Sequence, residues 1–241
     1  MARRSKQGGR SGGERELTVR VKTARGRTTS SQKWLQRQLN DPYVAAARRA
    51  GYRSRAAFKL LEIDDKHKLL KPGFCVIDLG AAPGGWAQIA VERVKAQDGN
   101  GQVIAIDISE MESVPGAEVI HLDFMDEEAP ERLISLMQGE YADVVLSDMA
   151  APTTGHSRTD HLRIMALAEA AAYFAKDVLR PGGSFLCKVF QGGAEKGLLD
   201  ELKRDYEKVQ HVKPPASRAD SSELYVLAMG FRGGRNADPS D

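Results

Sequence analysis

The chain has 241 residues, 41% of them hydrophobic, which is enough for one soluble α/β domain with a sizeable core. No stretch approaches the roughly 18 uncharged apolar residues of a membrane helix, and the arginine-rich N-terminus lacks the apolar segment of a secretory signal. These features argue against a membrane or secreted protein, so we expect a cytoplasmic location. The two cysteines, Cys75 and Cys187, lie inside apolar runs and indicate neither a disulfide framework nor a metal site.

The net charge of +2 conceals an uneven distribution along the chain. Residues 1–60 contain 16 basic and 3 acidic residues, a balance of +13, whereas residues 61–241 contain 19 basic and 30 acidic residues, a balance of −11. A basic arm on an acidic body suggests a polyanionic partner at one end of the protein. For residues 1–28 alone, a solubilising tail is an equally good interpretation.

The chain is predicted to contain a single folded domain between two flexible ends. Residues 1–28 are rich in Gly, Arg, Ser and Thr, and we predict that this basic extension is mostly disordered because it cannot bury enough apolar surface. Residues 29–232 are predicted to form the domain, and residues 233–241 a flexible C-terminal tail. The domain is expected to begin with three short helices, the first from about Ser30, the second opened by Asp41-Pro42 and the third capped by Ser54.

After this helical region, short and continuously apolar runs predict strands that are buried on both faces of a sheet. These runs are residues 74–79, 103–106, 119–122, 144–146, 185–189 and 224–228. Helical patterns separate most of them, at residues 86–94, 131–137, 162–179 and 195–206. The alternation predicts a doubly wound, mostly parallel α/β sheet whose last strand runs antiparallel, because no clear helix leads into it. Residues 180–183, Arg-Pro-Gly-Gly, predict a turn before the fifth strand.

A glycine-rich turn, Gly80-Ala81-Ala82-Pro83-Gly84-Gly85, leaves the first strand and enters a helix. In open parallel sheets, ligands bind beyond the carboxyl ends of strands, where glycine lets the backbone approach them closely. The spacing departs from the G-x-G-x-x-G fingerprint of dinucleotide enzymes, and Pro83 removes one amide that could face a pyrophosphate. The turn therefore argues against a nicotinamide-dependent enzyme.

Acidic residues end the next three strands. Asp107 follows the second strand about 20 residues after the turn, where a carboxylate can accept both hydroxyls of a ribose. Asp123 and Asp148 end the third and fourth strands. Each acid alone is more simply a solvated loop residue or a helix cap, but together, beside a Gly-Gly turn, they indicate a ligand site. Carboxylates there suit a cationic ligand and repel a pyrophosphate.

Six sequence blocks run in a fixed order across roughly residues 30–231. They are 53–60 (RSRAAFKL), 78–86 (DLGAAPGGW), 147–150 (SDMA), 181–185 (PGGSF), 188–192 (KVFQG) and 222–225 (SELY). In these blocks the chain resembles the FtsJ-type ribose 2'-O-methyltransferases. The resemblance implies a Rossmann-like methyltransferase fold and S-adenosylmethionine as the cofactor.

The same resemblance implies a set of site residues. The family's Lys-Asp-Lys-Glu tetrad corresponds to Lys59, Asp148, Lys188 and Glu223, with Lys188 as the proton acceptor. The implied cofactor contacts are Gly84, Trp86, Asp107, Asp123 and Asp148. The implied substrate is a ribose 2'-hydroxyl, expected to be that of a uridine, in 23S ribosomal RNA of the large subunit, either free or within the assembled particle.

The residue chemistry agrees with a base at Lys188. A ribose hydroxyl must lose its proton as it attacks the methyl carbon, and an amine can accept that proton only when uncharged. Lys188 lies within the apolar run 185–190, where a charge is costly unless it is paired. From the residues alone, a lysine on an edge strand that reaches solvent is nearly as good an interpretation, and Lys59 and Glu223 are more simply surface charges.

Four arginines, Arg48, Arg49, Arg53 and Arg55, precede Lys59 and are expected to contact RNA phosphates near the catalytic residues. Two alternatives stay open, namely methylation of transfer RNA or of a messenger RNA cap, and a ribosome-assembly factor that binds RNA without turnover. A base methyltransferase with a nucleophilic cysteine is disfavoured, because Cys187 should face the opposite side of the sheet from its neighbour Lys188. We expect a monomer, because the sequence has no coiled-coil pattern.

Overall fold

The structure is a computed structural model that describes residues 29–152, 154–191 and 196–233. The predictions for the extension 1–28 and for the tail from residue 234 onward lie outside these residues. The chain divides into two compact units, with the boundary between Ala45 and Ala46. The predicted limits of the methyltransferase domain, 29–232, stay a prediction.

The N-terminal unit contains α1 (Thr29–Leu39) and the beginning of α2 (Pro42–Ala50). Pro42 is the first residue of α2, as predicted, and at this position its missing N–H breaks no helical hydrogen bond. The Asp41 carboxylate accepts the amide of Tyr43 at 3.0 Å and so satisfies one donor of the first turn.

A seven-stranded sheet forms the centre of the C-terminal unit. Its strands are β1 (Cys75–Leu79), β2 (Gln102–Asp107), β3 (Glu118–His121), β4 (Ala142–Ser147), β5 (Leu179–Phe190), β6 (Tyr206–Val212) and β7 (Glu223–Phe231). The helices of this unit are the end of α2, then α3 (Ala56–His67), α4 (Gly85–Val94), α5 (Ala129–Leu136), α6 (Ser157–Val178) and α7 (Lys196–Asp205), with a short 3-10 helix at Ala96–Asp98.

The strand order is β3-β2-β1-β4-β5-β7-β6. Strands β1 to β5 pair in parallel, whereas β7 pairs antiparallel with both β5 and β6. This arrangement confirms the predicted fold class and the antiparallel last strand.

Helices cover both faces of the sheet, as a doubly wound fold requires. Ile77 and Cys187 belong to the core under α5, α6 and α7, and Val76 and Tyr225 belong to the core under α3 and α4. Lys188 pairs with Tyr225 in the ladder, so it shares the face of α3 and α4. The prediction that Cys187 and Lys188 face opposite sides is confirmed.

Three local predictions are wrong. The sequence predicts no strand at Tyr206–Val212, yet β6 forms there as the outer strand, whose exposed positions are polar and so give no apolar run. Arg180–Gly183 lies within β5 and not in a turn before it, and the pairing with β4 shifts register there. The N-cap of α3 is Arg55, not Ser54, and within the described residues no side chain makes a capping hydrogen bond to the first turn of this helix.

The topology brings the carboxyl ends of β1, β2, β4 and β5 to one edge of the sheet, which is where an open parallel sheet binds its ligands. Within the described ranges, no helix is both long enough and apolar enough to span a membrane.

Candidate active site

A cavity of about 550 Å³ opens at this edge of the sheet. Three of the predicted acids line it, because each lies at or just beyond a strand end: Asp107 at β2, Asp123 after β3 and Asp148 after β4. The apolar part of its wall is formed by residues that include Ile106, Phe124, Met149, Pro152, Ala166 and Leu167. The charged residues of the lining are these three acids and Arg163, a formal balance of −2. The cavity therefore combines a negative balance with apolar walls, which suits an organic cation.

Gly80, the first residue after β1, lets the backbone turn sharply beneath this cavity. Its φ is +78°, and a Cβ there would lie 2.7 Å from both the backbone nitrogen and the Cα of Met149. Only glycine fits so close an approach between the exits of β1 and β4. Gly80 itself lines the cavity, so this close approach of the two strand exits shapes the cavity wall.

Two of the lining carboxylates are fixed by backbone amides. Asp107 accepts the amide of Ala82 at 2.8 Å with one oxygen and that of Ser109 at 2.7 Å with the other. Asp123 accepts the amide of Met125 at 2.9 Å. The bond to Ala82 ties the end of β2 to the glycine turn, so the ribose-binding acid predicted from sequence is held in a defined orientation.

Gly84 and Trp86 occupy a different environment, and among the described residues the cavity wall includes neither of them. Trp86 is only 2% exposed, donates its indole N–H to the Ala56 carbonyl at 2.8 Å, and packs its ring 5.6 Å from that of Tyr225. Gly84 has a φ of +107° and lies against Arg53. Trp86 thus ties the start of α4 to α3, and Gly84 lets Arg53 lie close to the turn. The contact of either residue with a cofactor stays a prediction.

Lys188 is 7% exposed and lies on β5, between β4 and β7. The interpretation of an edge-strand lysine that reaches solvent is therefore wrong. Its Nζ donates to the Asp148 carbonyl at 2.5 Å and lies 3.1 Å from the Asp148 Oδ1. Because Asp148 also lines the cavity, the Lys188 amine lies beside the predicted ligand site and on the same face of the sheet as Trp86.

The other two tetrad residues join the same network. Lys59, on α3, lies 2.7 Å from Oε1 and 2.8 Å from Oε2 of Glu223, at the start of β7. Ser217 donates to the same carboxylate at 3.0 Å. The side chains of Lys59 and Glu223 are 12% and 17% exposed, so they are mostly buried and paired and are not solvated surface charges.

Tyr225 connects the two pairs, and the sequence interpretation did not single it out. Its hydroxyl donates to Asp148 Oδ1 at 2.8 Å and accepts from Lys59 at 3.2 Å. Burial, followed by the charges of Asp148 and Glu223, raises the pKa of Tyr225 well above its usual value, so it remains a donor. Because Tyr225 pairs with Lys188 between β5 and β7, knowledge of the strand register would have placed Tyr225 beside the predicted base.

Asp78 is a second residue that the sequence did not mark. It is fully buried on β1, and neither carboxylate oxygen has a hydrogen-bond partner among the described residues. Burial, followed by the charges of Asp148 and Asp107, raises the pKa of Asp78 to about 8. An acid of this kind is largely protonated at neutral pH, so Asp78 adds little negative charge near the cavity.

The four arginines predicted to contact phosphates divide into two groups. Arg48 and Arg49 are exposed. Arg53 donates to three backbone carbonyls, and Arg55 donates to the Ala216 carbonyl. The last two therefore hold the protein's own loops, which sequence alone could not indicate.

Comparison with known proteins identifies the family of this chain. Residues 52–231 match the sequence profile of the FtsJ-like methyltransferases. Ribosomal RNA large subunit methyltransferase E of Parvibaculum lavamentivorans is 60% identical over an alignment of 253 residues, gaps included, and the alignment covers 100% of this chain and 99% of the relative. The protein of the same name from Nitrobacter winogradskyi is 63% identical over 219 residues, which cover 91% of this chain and 95% of the relative.

A solved structure from Plasmodium falciparum, named as a ribosomal RNA methyltransferase, superposes with a TM-score of 0.68 at 28% identity. The match covers 76% of this chain and 100% of that one. Since the family profile spans most of the chain and the curated relatives match nearly its whole length, the chain belongs to the FtsJ-like methyltransferase family.

Proposed function

We propose that the protein transfers a methyl group from S-adenosylmethionine to the 2'-hydroxyl of a ribose, that of a uridine, in 23S ribosomal RNA of the large subunit. One observation carries the proposal: Asp148 both lines the cavity and pairs with the buried amine of Lys188. A group that can take a proton therefore lies beside the site where a methyl donor would bind.

The cavity residues fit this cofactor. S-adenosylmethionine supplies a methyl group on a positively charged sulfur. Asp107 would accept the ribose hydroxyls, Asp123 would accept the adenine amino group, and Phe124 would pack against the base. Gly80 lines the cavity, and its lack of a Cβ lets the exits of β1 and β4 lie close together at the cavity wall.

Lys188 is proposed to accept the proton of the attacking hydroxyl. An uncharged amine keeps two N–H groups and one lone pair. The two hydrogens match the two acceptors that Asp148 presents, its carbonyl and its Oδ1, and the lone pair remains for the substrate proton. The ammonium that results stays paired with the Asp148 carboxylate, which limits the cost of placing a charge at this buried position.

The remaining network orients that pair. Glu223 balances the charge of Lys59, and the Tyr225 hydroxyl donates to the same Asp148 oxygen that pairs with the Lys188 amine. These contacts limit the motion of the base relative to the cavity. Alignment of the reacting atoms can contribute several kcal/mol to a displacement, and general-base help adds roughly 10²–10⁴-fold.

The RNA substrate is inferred from the relatives and from charge. Both curated relatives are named for the ribosomal RNA of the large subunit, and they match this chain over nearly its full length. The basic balance of residues 1–60, with Arg48 and Arg49 exposed, would attract a phosphate backbone.

The direct test is transfer of tritium from labelled S-adenosylmethionine to large-subunit RNA, followed by nuclease digestion and mass spectrometry to locate the methyl group. We expect label on a ribose 2'-oxygen with the natural protein. Lys188→Ala should abolish it, whereas Lys176→Ala, which removes a lysine of α6 that pairs with Asp205 of α7, should not.

The other outcomes would contradict the proposal in different ways. Label on transfer RNA or capped RNA alone would reassign the substrate, and label on a base would reassign the reaction. RNA binding without any label would favour an assembly factor that has no turnover.

A further inference from the structure

Arg53, in the link between α2 and α3, binds two loops at once. Its guanidinium donates to the Pro83 carbonyl at 3.2 Å, and to the carbonyls of Glu112 and Ser113 at 2.6 Å each. Pro83 belongs to the glycine turn, whereas Glu112 and Ser113 belong to the loop that follows β2. One side chain therefore joins the two segments that carry Gly80 and Asp107.

Gly84 is the point where these segments meet. A Cβ at Gly84 would lie 2.9 Å from Nη1 of Arg53 and 3.0 Å from Cγ2 of Val114, a buried residue of the loop after β2. The Arg53 guanidinium therefore packs directly against the glycine turn at Gly84. The arginine's own backbone is also held, because its amide donates to the Gln88 side chain of α4 at 2.9 Å.

The same two segments are joined on the cavity side. There Asp107 accepts the amide of Ala82, and Ala82, Asp107 and Ser109 all line the cavity. Arg53 joins the turn and the loop outside the cavity lining, and Asp107 joins them at the cavity. Loss of the Arg53 contacts would let the two walls of the cavity separate without touching Lys188.

From this geometry we infer that Arg53 is a positioning residue for the cofactor site and not a contact for RNA phosphates. The inference rests on the proposed function, because it takes the cavity ligand to be S-adenosylmethionine. Arg53 fixes the distance between the glycine turn and the loop after β2, so cofactor affinity depends on it. RNA affinity depends instead on exposed arginines such as Arg48.

The test compares Arg53→Met, Arg53→Lys and Arg48→Met in the full chain. Calorimetry with S-adenosylhomocysteine, without RNA, measures the cofactor site independently of turnover. We expect Arg53→Met to weaken this binding by roughly tenfold or more, because three bonds from a charged donor are lost. Arg53→Lys should be intermediate, since one ammonium cannot span three carbonyls that a planar guanidinium reaches.

Steady-state kinetics supply the second readout. For Arg53→Met and Arg53→Lys, KM for the cofactor should rise while kcat at saturating cofactor, KM for RNA and the salt dependence of RNA binding stay close to natural values. Arg48→Met should do the reverse, with an unchanged cofactor KM and a salt slope smaller by about 0.7 to 0.9. If Arg53→Met fails to fold, Arg53→Lys carries the comparison.

Each contrary result has a distinct meaning. Equal cofactor affinity in the natural protein and both Arg53 variants would overturn the inference, as would a loss in kcat and both KM values together, or a loss of RNA affinity alone. Absence of S-adenosylhomocysteine binding by the natural protein would instead count against the proposed function itself.

Discussion

Asp78→Asn should change how the stability of the protein depends on pH. The carboxyl of Asp78 is fully buried, and its oxygens have no partner among the described residues. Its pKa is raised from 3.8 to about 8, first by burial and then by the charges of Asp148 and Asp107. Asparagine is close in shape and does not titrate, so the substitution removes the ionisation and keeps the volume.

The sign of the effect follows from the two pKa values of Asp78. Below about pH 4 the acid is protonated in both states, so ionisation adds no term to stability. Between about pH 4 and about pH 8 the unfolded chain has lost this proton and the folded chain has kept it, so the free energy of unfolding falls as pH rises. The slope is about 1.4 kcal/mol per pH unit, or roughly 4 kcal/mol from pH 5 to pH 8.

Urea unfolding at several pH values from 5 to 9 measures this effect as the difference between Asp78→Asn and the natural protein. We expect the variant's relative stability to increase through this range and to level off above the folded pKa of Asp78. Asp160→Asn is the matched control, because hydrogen bonds from Thr154 lower the pKa of Asp160 and confine its effect to the acidic side. An Asp78→Asn difference that is the same at pH 5 and pH 9 would refute the reasoning.

Three further predictions use other parts of the site. Tyr225→Phe removes the hydroxyl that bridges Asp148 and Lys59, so methyl transfer should slow by roughly 10- to 100-fold with little change in cofactor affinity. An unaltered rate in single-turnover assays would contradict this role. Gly84→Ala places a side chain at a φ of +107° and against Arg53, and should lower the free energy of unfolding by about 1 to 3 kcal/mol in urea titrations. Gly197→Ala is the control, because Gly197 has open space around it and no positive φ; an equal loss in both variants would contradict the strain at Gly84. Burial raises the pKa of the half-buried Cys75 thiol and of the buried Cys187 thiol to about 12, so neither should react rapidly with a thiol reagent at pH 8 until urea is added. Rapid labelling of the folded protein would contradict this prediction.

The inner part of the fold could be predicted because its strands are buried on both faces. Runs such as Val103–Ile106 are continuously apolar for that reason, and they are recognisable without a structure. Strand β6 is different, because it lies at the edge of the sheet and its exposed positions carry Glu207 and Lys208. A half-solvated strand with charged residues resembles a loop when only the sequence is read.

The tetrad could be assigned only through the resemblance, because its members meet through contacts that are remote in sequence. Lys59 and Glu223 are separated by 164 positions, and no local pattern relates them. Lys188 carried the strongest local signal, a cation in an apolar run, but its interpretation depended on whether β5 was an edge strand. The sheet order decides that question.

Other features depend on where a side chain ends after folding. The sequence predicts Arg53 as an RNA contact and Trp86 as a cofactor contact. In the structure, the polar groups of both side chains donate to backbone carbonyls of this chain. Asp78 lies inside a recognisable motif, but only the structure shows that it is buried without a partner among the described residues. Burial and partner choice are tertiary properties, so a motif match cannot supply them.

The central claim is that the Lys188 amine takes the substrate proton, and Lys188→Arg tests it most directly. Arginine places beside Asp148 the positive charge that the protonated amine would carry, but it does not lose its proton in proteins, so it can pair and cannot accept a proton. In single-turnover transfer to large-subunit RNA, with cofactor and RNA binding measured in parallel, we expect both affinities to change little and the rate to fall by at least about 10²-fold. Transfer by Lys188→Arg at nearly the natural rate would contradict the account.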